Sequence, residues 1–236
     1  MRKEEKTIGG RECLLWGDPD ARDVLIQPVD SHDLDGLDAQ LSVMEDALGD
    51  SFLLAAFRVR DWNRELSPWE APPVFGREGF GSGAEDTLGF ILETLLPEIG
   101  GDAGDRRRCL GGYSLAALFS LWAAYRTDRF QGIAAASPSV WFPGWDAFIR
   151  QGPVRAEAVY LSLGDREART RNPVMAAVAD RIRLQHEVLS GDPGCGASTL
   201  EWNPGNHFKE PARRTARAFL WVLQTLRSRG ETLGEP

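Results

Sequence analysis

Residues 107–125 read RRCLGGYSLAALFSLWAAY, and this stretch predicts a short strand, an abrupt turn and a helix. After the turn, apolar residues recur at helical spacing, at Leu115, Leu118, Phe119, Trp122 and Tyr125. The turn itself contains GYSLA at residues 112–116, a near match to G-x-S-x-G. That motif places a serine on a tight strand-to-helix turn, so that its hydroxyl projects clear of the backbone. Ser114 is therefore a candidate nucleophile, although Ala116 stands where the motif has glycine.

The rest of the chain alternates buried strands with amphipathic helices. Continuous apolar runs, typical of strands covered on both faces, occur at residues 24–29, 52–57, 130–136 and 158–163, and a last strand is expected at 199–202. Apolar residues at helical spacing predict helices at 34–48, 85–99, 173–189 and 211–229. This alternation predicts an α/β fold with a mostly parallel central sheet flanked by helices on both faces. We find no internal repeat, low-complexity tract or linker, so residues 1–236 are expected to form one domain.

Charge and composition narrow the range of partners and compartments. The formal net charge is −8, which argues against a nucleic-acid-binding protein because such proteins carry a basic face. No apolar run approaches the roughly 20 residues that span a membrane, and the N-terminal MRKEEKTIGG lacks the apolar core of a signal peptide. The cysteines at 13, 109 and 195 are odd in number and scattered, as expected for free thiols in a reducing cytosol. We therefore expect a cytoplasmic protein with no nucleic-acid or membrane partner.

A serine nucleophile needs a base to remove its proton and a carboxylate to orient that base. Of the three histidines, His207 lies in a Pro/Gly-rich loop after the last predicted strand, from where it can reach back over the sheet. Glu167 and Asp165 both lie just beyond a predicted strand, and the G-x-x-acid spacing favours Glu167 as the acid. The order serine, acid, histidine is that of hydrolases on this architecture. The simpler alternatives are that Ser114 is a plain helix N-cap and that His207 only caps the last helix.

The oxyanion formed during such an attack needs backbone N–H donors. The residue after the nucleophile usually supplies one of them, which here is Leu115. A second is expected from the loop after the early strand, near Ser31. These two backbone groups are the predicted oxyanion hole.

The long aperiodic segment at residues 58–83 is the expected wall of a substrate pocket. Loops of this length in a compact domain are usually functional or disordered, and the aromatic content here favours an ordered wall. The candidate pocket residues are Trp62, Arg64 and Trp69 in this segment and Trp141 further along the chain. Core packing for the tryptophans and a solvent-facing position for the arginine remain the alternatives.

No cofactor and no metal site are predicted. The spacing of cysteines, histidines and carboxylates does not suggest zinc. Residues 79–84, GFGSGA, resemble the glycine fingerprint of dinucleotide sites, but no predicted strand runs into them. Glu85 and Asp86, at the start of the following helix, would also repel a pyrophosphate.

Taken together, these segments make the chain similar to a branch of the α/β-hydrolases, the esterases that include ferric-enterobactin esterases and esterase D-type enzymes. The segments that carry the resemblance are residues 60–69, 75–97, 112–119, 136–141, 164–167 and 205–207. Position by position, the resemblance implies Ser114 as nucleophile, His207 as base and Glu167 as acid. The chain departs from the family pattern at Ala116, at Tyr113 and at residues 63–65.

The sequence as a whole predicts a serine esterase on an α/β-hydrolase fold. Ser114 attacks the carbonyl of a small-molecule ester, His207 passes the proton to the leaving alcohol, and water resolves the acyl-enzyme. One alternative is an acyltransferase that uses the same triad, with an alcohol in place of water. The other is a non-catalytic binding protein that has kept the fold. Neither the natural substrate nor the oligomeric state follows from the sequence.

Overall fold

The computed structural model describes residues 2–232, and within this range eight strands form one sheet. The strands are β1 (Lys3–Ile8), β2 (Arg11–Gly17), β3 (Asp23–Val29), β4 (Phe52–Arg58), β5 (Arg107–Tyr113), β6 (Gly132–Ala136), β7 (Ala156–Gly164) and β8 (Cys195–Asn203). Their order across the sheet is β1-β2-β4-β3-β5-β6-β7-β8. The β1–β2 and β2–β4 pairs are antiparallel, whereas every pair from β4 to β8 is parallel.

Helices cover both faces of this sheet. They are α1 (Ser31–Leu48), α2 (Trp62–Glu65), α3 (Ala84–Phe90), α4 (Leu96–Glu98), α5 (Leu115–Arg126), α6 (Trp145–Phe148), α7 (Pro173–Ala176), α8 (Val178–Gly191) and α9 (Pro211–Thr232). The helices α1 and α9 pack on one face, and α3, α5 and α8 pack on the other. The predicted mostly parallel sheet with helices on both faces is therefore confirmed. No helix within residues 2–232 is long and apolar enough to cross a membrane.

The central strands are mostly apolar because they separate two hydrophobic cores. Successive side chains of a strand point to opposite faces, and β3 shows the consequence. Val24 and Ile26 belong to the core under α5, while Leu25 and Val29 belong to the core under α9. All seven residues of β3 are buried. A strand covered on both faces is apolar without alternation, which is the pattern in the sequence.

The predicted helix at residues 85–99 is interrupted by a π-helical turn, Ile91–Leu95, between α3 and α4. Pro97 has no N–H, so it cannot donate to the carbonyl of Glu93, and its ring would clash with that carbonyl in a regular helix. The wider turn resolves the conflict, because the N–H of Leu96 donates to the carbonyl of Ile91, five residues back.

Two other element boundaries also differ from the sequence prediction. The predicted helix at 173–189 is divided into α7 and α8 at Ala177. The last strand begins at Cys195, four residues before the predicted start at 199, because it pairs with β7 from Ala156 onward.

The six parallel strands bring the segments that follow them to one edge of the sheet. The register pairs Tyr113 with Ala136, and Ala136 with Ser162, near the carboxyl ends of β5, β6 and β7. At the far side of this set, Gly164 at the end of β7 pairs with Asn203 at the end of β8. The chain segments after β4, β3, β5, β6, β7 and β8 therefore lie side by side, and open α/β sheets place their sites at this edge.

Candidate active site

Ser114 lies at the junction between β5 and α5 in a strained backbone conformation. Its φ is 57° and its ψ is −117°, a region that non-glycine residues seldom adopt. Two hydrogen bonds hold it there: the Ser114 N–H donates to the carbonyl of Ala136 at 3.2 Å, and the Ser139 N–H donates to the carbonyl of Ser114 at 3.1 Å. Strain of this kind persists where the surrounding structure fixes the backbone, and it is common at functional sites.

Gly112, two residues before Ser114, explains why alanine is tolerated at position 116, two residues after it. A Cβ atom added to Gly112 would lie 2.7 Å from the Cβ of Ala116, closer than such atoms approach. The tight turn therefore has room for only one methyl group between positions 112 and 116. Because Gly112 leaves that space free, Ala116 fits where the G-x-S-x-G motif has its last glycine.

The structure brings Ser114, His207 and Glu167 into one chain of hydrogen bonds. The Oγ of Ser114 lies 3.0 Å from Nε2 of His207. On the other side of the ring, Nδ1 of His207 lies 2.7 Å from Oε2 of Glu167. A proton on Nδ1 donates to the carboxylate and leaves Nε2 free to accept from the serine hydroxyl, which is the arrangement that a general base needs.

Local contacts fix the acid and the base in this arrangement. Glu167 lies in the turn that follows β7, and the N–H of Gly164 donates to its Oε1 at 2.7 Å. His207 lies in the loop after β8, and the hydroxyl of Tyr113 donates to its backbone carbonyl at 2.7 Å. Tyr113 directly precedes Ser114, so the same strand end carries the candidate nucleophile and anchors the histidine loop.

The carboxylate of Glu167 is buried and fully hydrogen-bonded. Its Oε1 accepts from the Ser137 hydroxyl at 2.8 Å and from Nη1 of Arg214 at 3.0 Å. Only 4% of the Glu167 side chain and 3% of the Arg214 side chain are exposed. Burial alone would raise the pKa of Glu167, but hydrogen bonds and charge from His207, with the Gly164 N–H and the Ser137 hydroxyl, hold that pKa below its ordinary value. The carboxylate therefore stays ionised beside the histidine ring.

The carboxylate of Asp165, the alternative acid, contacts Gly205 and not His207. It accepts the N–H of Gly205 at 2.7 Å and lies on the surface. This contact ties the turn after β7 to the loop after β8. Of the two candidate carboxylates, Glu167 is the one that the structure brings to His207.

The two expected oxyanion donors lie at the ends of neighbouring strands. Leu115 is the first residue of α5, and the N–H at this position has no acceptor within the helix. Ser31 is the first residue of α1, just after β3, which pairs with β5. Its hydroxyl accepts from Arg58 at 3.0 Å, and it lines a cleft separate from the groove that contains Ser114.

One of the four predicted pocket residues lines the groove beside Ser114. That residue is Trp141. The expectation for Trp69 needs correction, because its Nε1 donates to the carbonyl of Pro143 at 2.8 Å and its ring packs among Phe142, Trp145 and Phe148. Core packing, the simpler alternative, describes Trp69 better.

The other two predicted pocket residues also lie outside the groove. Trp62 lines the cleft that contains Ser31. The backbone of Arg64 lies under the glycine-rich loop, where its carbonyl accepts the N–H of Gly83 at 2.8 Å. A Cβ on Gly81 would come within 2.9 Å of the Arg64 Cα, so the glycines allow a close approach of two backbone segments.

Sequence reasoning missed several polar residues around Ser114, His207 and Glu167. Ser139 places its Oγ 3.2 Å from that of Ser114, and Ser137 and Arg214 contact Glu167. The sequence position of Ser137 and Ser139 could have indicated them, since the SPS segment directly follows β6 at the edge where the other site residues lie. No sequence feature distinguishes Arg214, because it is one of several arginines in the helical segment PARRTAR at residues 211–217.

Replacing Arg214 with methionine is expected to destabilise the protein by about 3 kcal/mol, because removal of one partner of a buried ion pair leaves the other charge uncompensated. The matched control lies one helical turn along α9, where Arg217 pairs with Glu201 at 3.0 Å with side chains 57% and 40% exposed. Arg217→Met should cost less than about 1 kcal/mol. Urea unfolding at neutral pH measures both. Equal losses in the two variants would contradict the prediction.

Comparison with known proteins shows likeness in structure only. No protein-family model matches the sequence, and no curated protein matches it either. Among solved structures, the chain is similar to the siderophore hydrolase EstA from Aspergillus nidulans, with a TM-score of 0.72 and 18% identity over 94% of each chain. It is also similar to the siderophore hydrolase EstB from the same organism, with a TM-score of 0.63 and 20% identity over 92% of each chain.

A third similar structure bears on the fold class. It is ATU1826 from Agrobacterium tumefaciens, a protein of unknown function that is described as an α/β-hydrolase. The TM-score is 0.60, with 15% identity over 100% of both chains. Together with the sheet order and the flanking helices, these likenesses show that the chain has the α/β-hydrolase fold, as its sequence predicts.

Proposed function

We propose that this protein is a serine hydrolase that cleaves a carboxylic ester through an acyl-enzyme. The observation that carries the proposal is the continuous chain from the Ser114 hydroxyl through His207 to Glu167, with contacts of 3.0 Å and 2.7 Å. A serine held at a strained strand-to-helix turn within reach of a histidine is the arrangement that activates a hydroxyl for attack on a carbonyl. The fold likeness to two hydrolases supports the same reading.

In the proposed first half-reaction, Ser114 Oγ attacks the ester carbonyl and Nε2 of His207 takes the hydroxyl proton. Glu167, ionised in its buried setting, stabilises the imidazolium that forms. The oxyanion accepts from the backbone N–H of Leu115 and from that of Ser31. His207 then returns the proton to the alkoxy oxygen, the C–O bond breaks, and the alcohol leaves.

In the second half-reaction, His207 takes a proton from water, whose oxygen attacks the acyl carbonyl on Ser114. Collapse of this second tetrahedral species breaks the bond to Oγ, and the proton returns to the serine. The products are the free acid and the regenerated enzyme. No cofactor enters these steps, since the proton moves only between the triad, the water and the two products.

Three broader expectations accompany this proposal. We propose that one domain carries the whole activity, which the single sheet with its two cores supports. We also propose a cytoplasmic location, supported by the free thiols of Cys13, Cys109 and Cys195. The partner is then a small-molecule ester and not a nucleic acid or a membrane, in line with the acidic net charge of −8.

A fluorophosphonate probe tests the proposed nucleophile directly. We expect the folded protein to be labelled with one probe per chain, and peptide mass spectrometry to place the label on Ser114, whose oxygen displaces fluoride from phosphorus. Urea-unfolded protein is the control and should stay unlabelled, because an unactivated serine hydroxyl is a poor nucleophile. Absence of a label in the folded protein, together with no turnover of any ester, would refute the proposal. Product analysis with added alcohols separates hydrolysis from acyl transfer.

A further inference from the structure

A groove of about 370 Å³ opens beside Ser114, and its walls are mostly apolar. Besides the triad residues, it is lined by Phe75, Trp141, Met175, Val178 and Phe208. Its volume falls in the range of small-molecule sites, which are commonly lined by apolar and aromatic side chains with a few polar groups. Here the polar groups are the candidate catalytic ones.

The walls of the groove are held together by contacts within the protein. Phe75 and Trp141 pack edge to face with ring centroids 5.8 Å apart. The Nη1 of Arg181 donates to the backbone carbonyl of Trp141 at 2.6 Å. Asn172 caps α7, which carries Met175, and donates through its side chain to the carbonyl of Val74, next to Phe75. The groove is therefore preformed and needs little reorganisation to receive a ligand.

Two of the walls expose apolar area to solvent at an energetic cost. The side chain of Phe208 is 83% exposed and that of Phe75 is 49% exposed. Of the four large hydrophobic side chains exposed in the described part of the chain, these two line the groove. Phe208 also follows His207 directly, with the two rings edge to face at 5.6 Å. Exposed apolar surface concentrated at a site indicates a contact made with a ligand.

The groove offers no counter-charge to an ionised ligand. Among its described lining residues, Glu167 is the one carboxylate, and both of its oxygens are engaged by His207 and Arg214. Arg58 and Arg60 line the neighbouring cleft, where they contact Glu12 and the carbonyl of Gly10. An anionic group in the groove would lose hydration without gaining a cationic partner, which is unfavourable.

We infer that this groove holds an uncharged, apolar part of the substrate, so that the protein acts on esters of an apolar acid or an apolar alcohol. The inference rests on the proposed function, because it places this group next to the carbonyl that Ser114 attacks. The aromatic walls bury the apolar group while the reacting carbonyl faces His207. Each additional methylene buried in the groove is expected to raise kcat/KM about fourfold, until the groove is filled.

Two substrate series test this inference and identify which side of the ester enters the groove. In the first, p-nitrophenyl acetate, butyrate and hexanoate vary the acyl chain. In the second, methyl, butyl and hexyl acetate vary the alcohol, with acid release followed by pH-stat. We expect kcat/KM to rise with length in one series. The p-nitrophenyl monoester of succinate, which carries a negative charge, should be at least tenfold poorer than the butyrate ester.

Matched aromatic variants link the length dependence to the groove. Phe208→Ala should lower the ratio of hexanoate to acetate kcat/KM, or the matching alcohol ratio, by about tenfold through lost apolar contact. Trp202→Ala is the control: Trp202 of β8 is also exposed, but its ring lies under the guanidinium of Arg183 from α8 and does not line the groove. That variant should keep the wild-type ratio.

The outcomes separate this inference from the proposed function. If acetate esters are hydrolysed and Ser114 is labelled, but both series are flat or the succinate monoester is preferred, the groove assignment is wrong and the hydrolase proposal stands. An unchanged ratio in Phe208→Ala would likewise refute the groove assignment. If no ester is turned over and no probe binds, both proposals fall.

Discussion

Replacing Ser114 with alanine is expected to lower kcat for ester hydrolysis by about 10⁴- to 10⁶-fold, the loss seen when a triad nucleophile is removed. The Oγ of Ser114 lies 3.0 Å from Nε2 of His207, and alanine leaves the histidine with no hydroxyl to deprotonate. The fold should be little affected, because the backbone hydrogen bonds of residue 114 to Ala136 and Ser139 do not use its side chain. Initial rates with p-nitrophenyl butyrate, after correction for spontaneous hydrolysis, measure the effect.

A second serine beside the first provides the control. The Oγ of Ser139 is buried and lies 3.2 Å from that of Ser114, so it contacts the candidate nucleophile without facing His207. Ser139→Ala removes one neutral hydrogen bond and should lower kcat by only about tenfold. If Ser139→Ala abolished turnover while Ser114→Ala retained it, the nucleophile would have been assigned to the wrong serine.

Replacing Glu167 with glutamine is expected to lower kcat by about 10⁴-fold, as the equivalent change does when it inverts the tautomer of a triad histidine. In the proposed mechanism this carboxylate accepts a hydrogen bond from the Nδ1–H of His207, with Nδ1 and Oε2 2.7 Å apart. A glutamine amide can instead donate its own N–H to Nδ1, which moves the ring proton to Nε2. The nitrogen that faces Ser114 then carries a hydrogen and cannot take another. Steady-state kinetics at neutral pH measure the loss.

Asp165→Asn is the matched control for this prediction, since Asp165 is the alternative acid two residues away. Its carboxylate accepts the N–H of Gly205 at 2.7 Å, and an asparagine oxygen can accept the same bond. We expect kcat to stay within about threefold of the wild type, because one hydrogen bond of this kind contributes little net stability. Loss of activity in Asp165→Asn with full activity in Glu167→Gln would reverse the assignment. Circular dichroism of Glu167→Gln should be recorded as well, because Arg214 loses its ionised partner.

The sheet could be predicted from the sequence because a strand that is buried on both faces appears as a continuous run of apolar residues. A strand such as β3 is apolar at most of its positions, so it can be identified without knowing its neighbours. The strand-to-helix turn at Ser114 could also be predicted from a few neighbouring residues, since Gly112 and Ala116 are the small residues that the turn requires. The parallel order of the strands then brings the loops that carry Glu167 and His207 to the same edge. These features depend on short stretches of chain and on one general rule of topology.

The pocket and the surroundings of Glu167 could not be predicted in the same way. Whether a tryptophan lines a groove or fills a core depends on which distant residues pack against it, and Trp69 packs against residues more than 70 positions away. Arg214 contacts Glu167 across 47 positions of sequence. Its neighbours Arg213 and Arg217 have the same side chain but face outward. Sequence patterns carry no signal for such pairings, because they are set by the three-dimensional approach of separate elements.

The position of Arg214 along the chain also has a consequence for biosynthesis. The candidate nucleophile, acid and base all precede α9, whereas the guanidinium that neutralises Glu167 belongs to it. The same helix covers β5, β6 and β7. Until the ribosome has released residues 211 onward, this face of the sheet lacks one of its two covering helices and the carboxylate lacks its cation. The proposed activity is therefore expected on nascent chains only after α9 has been translated.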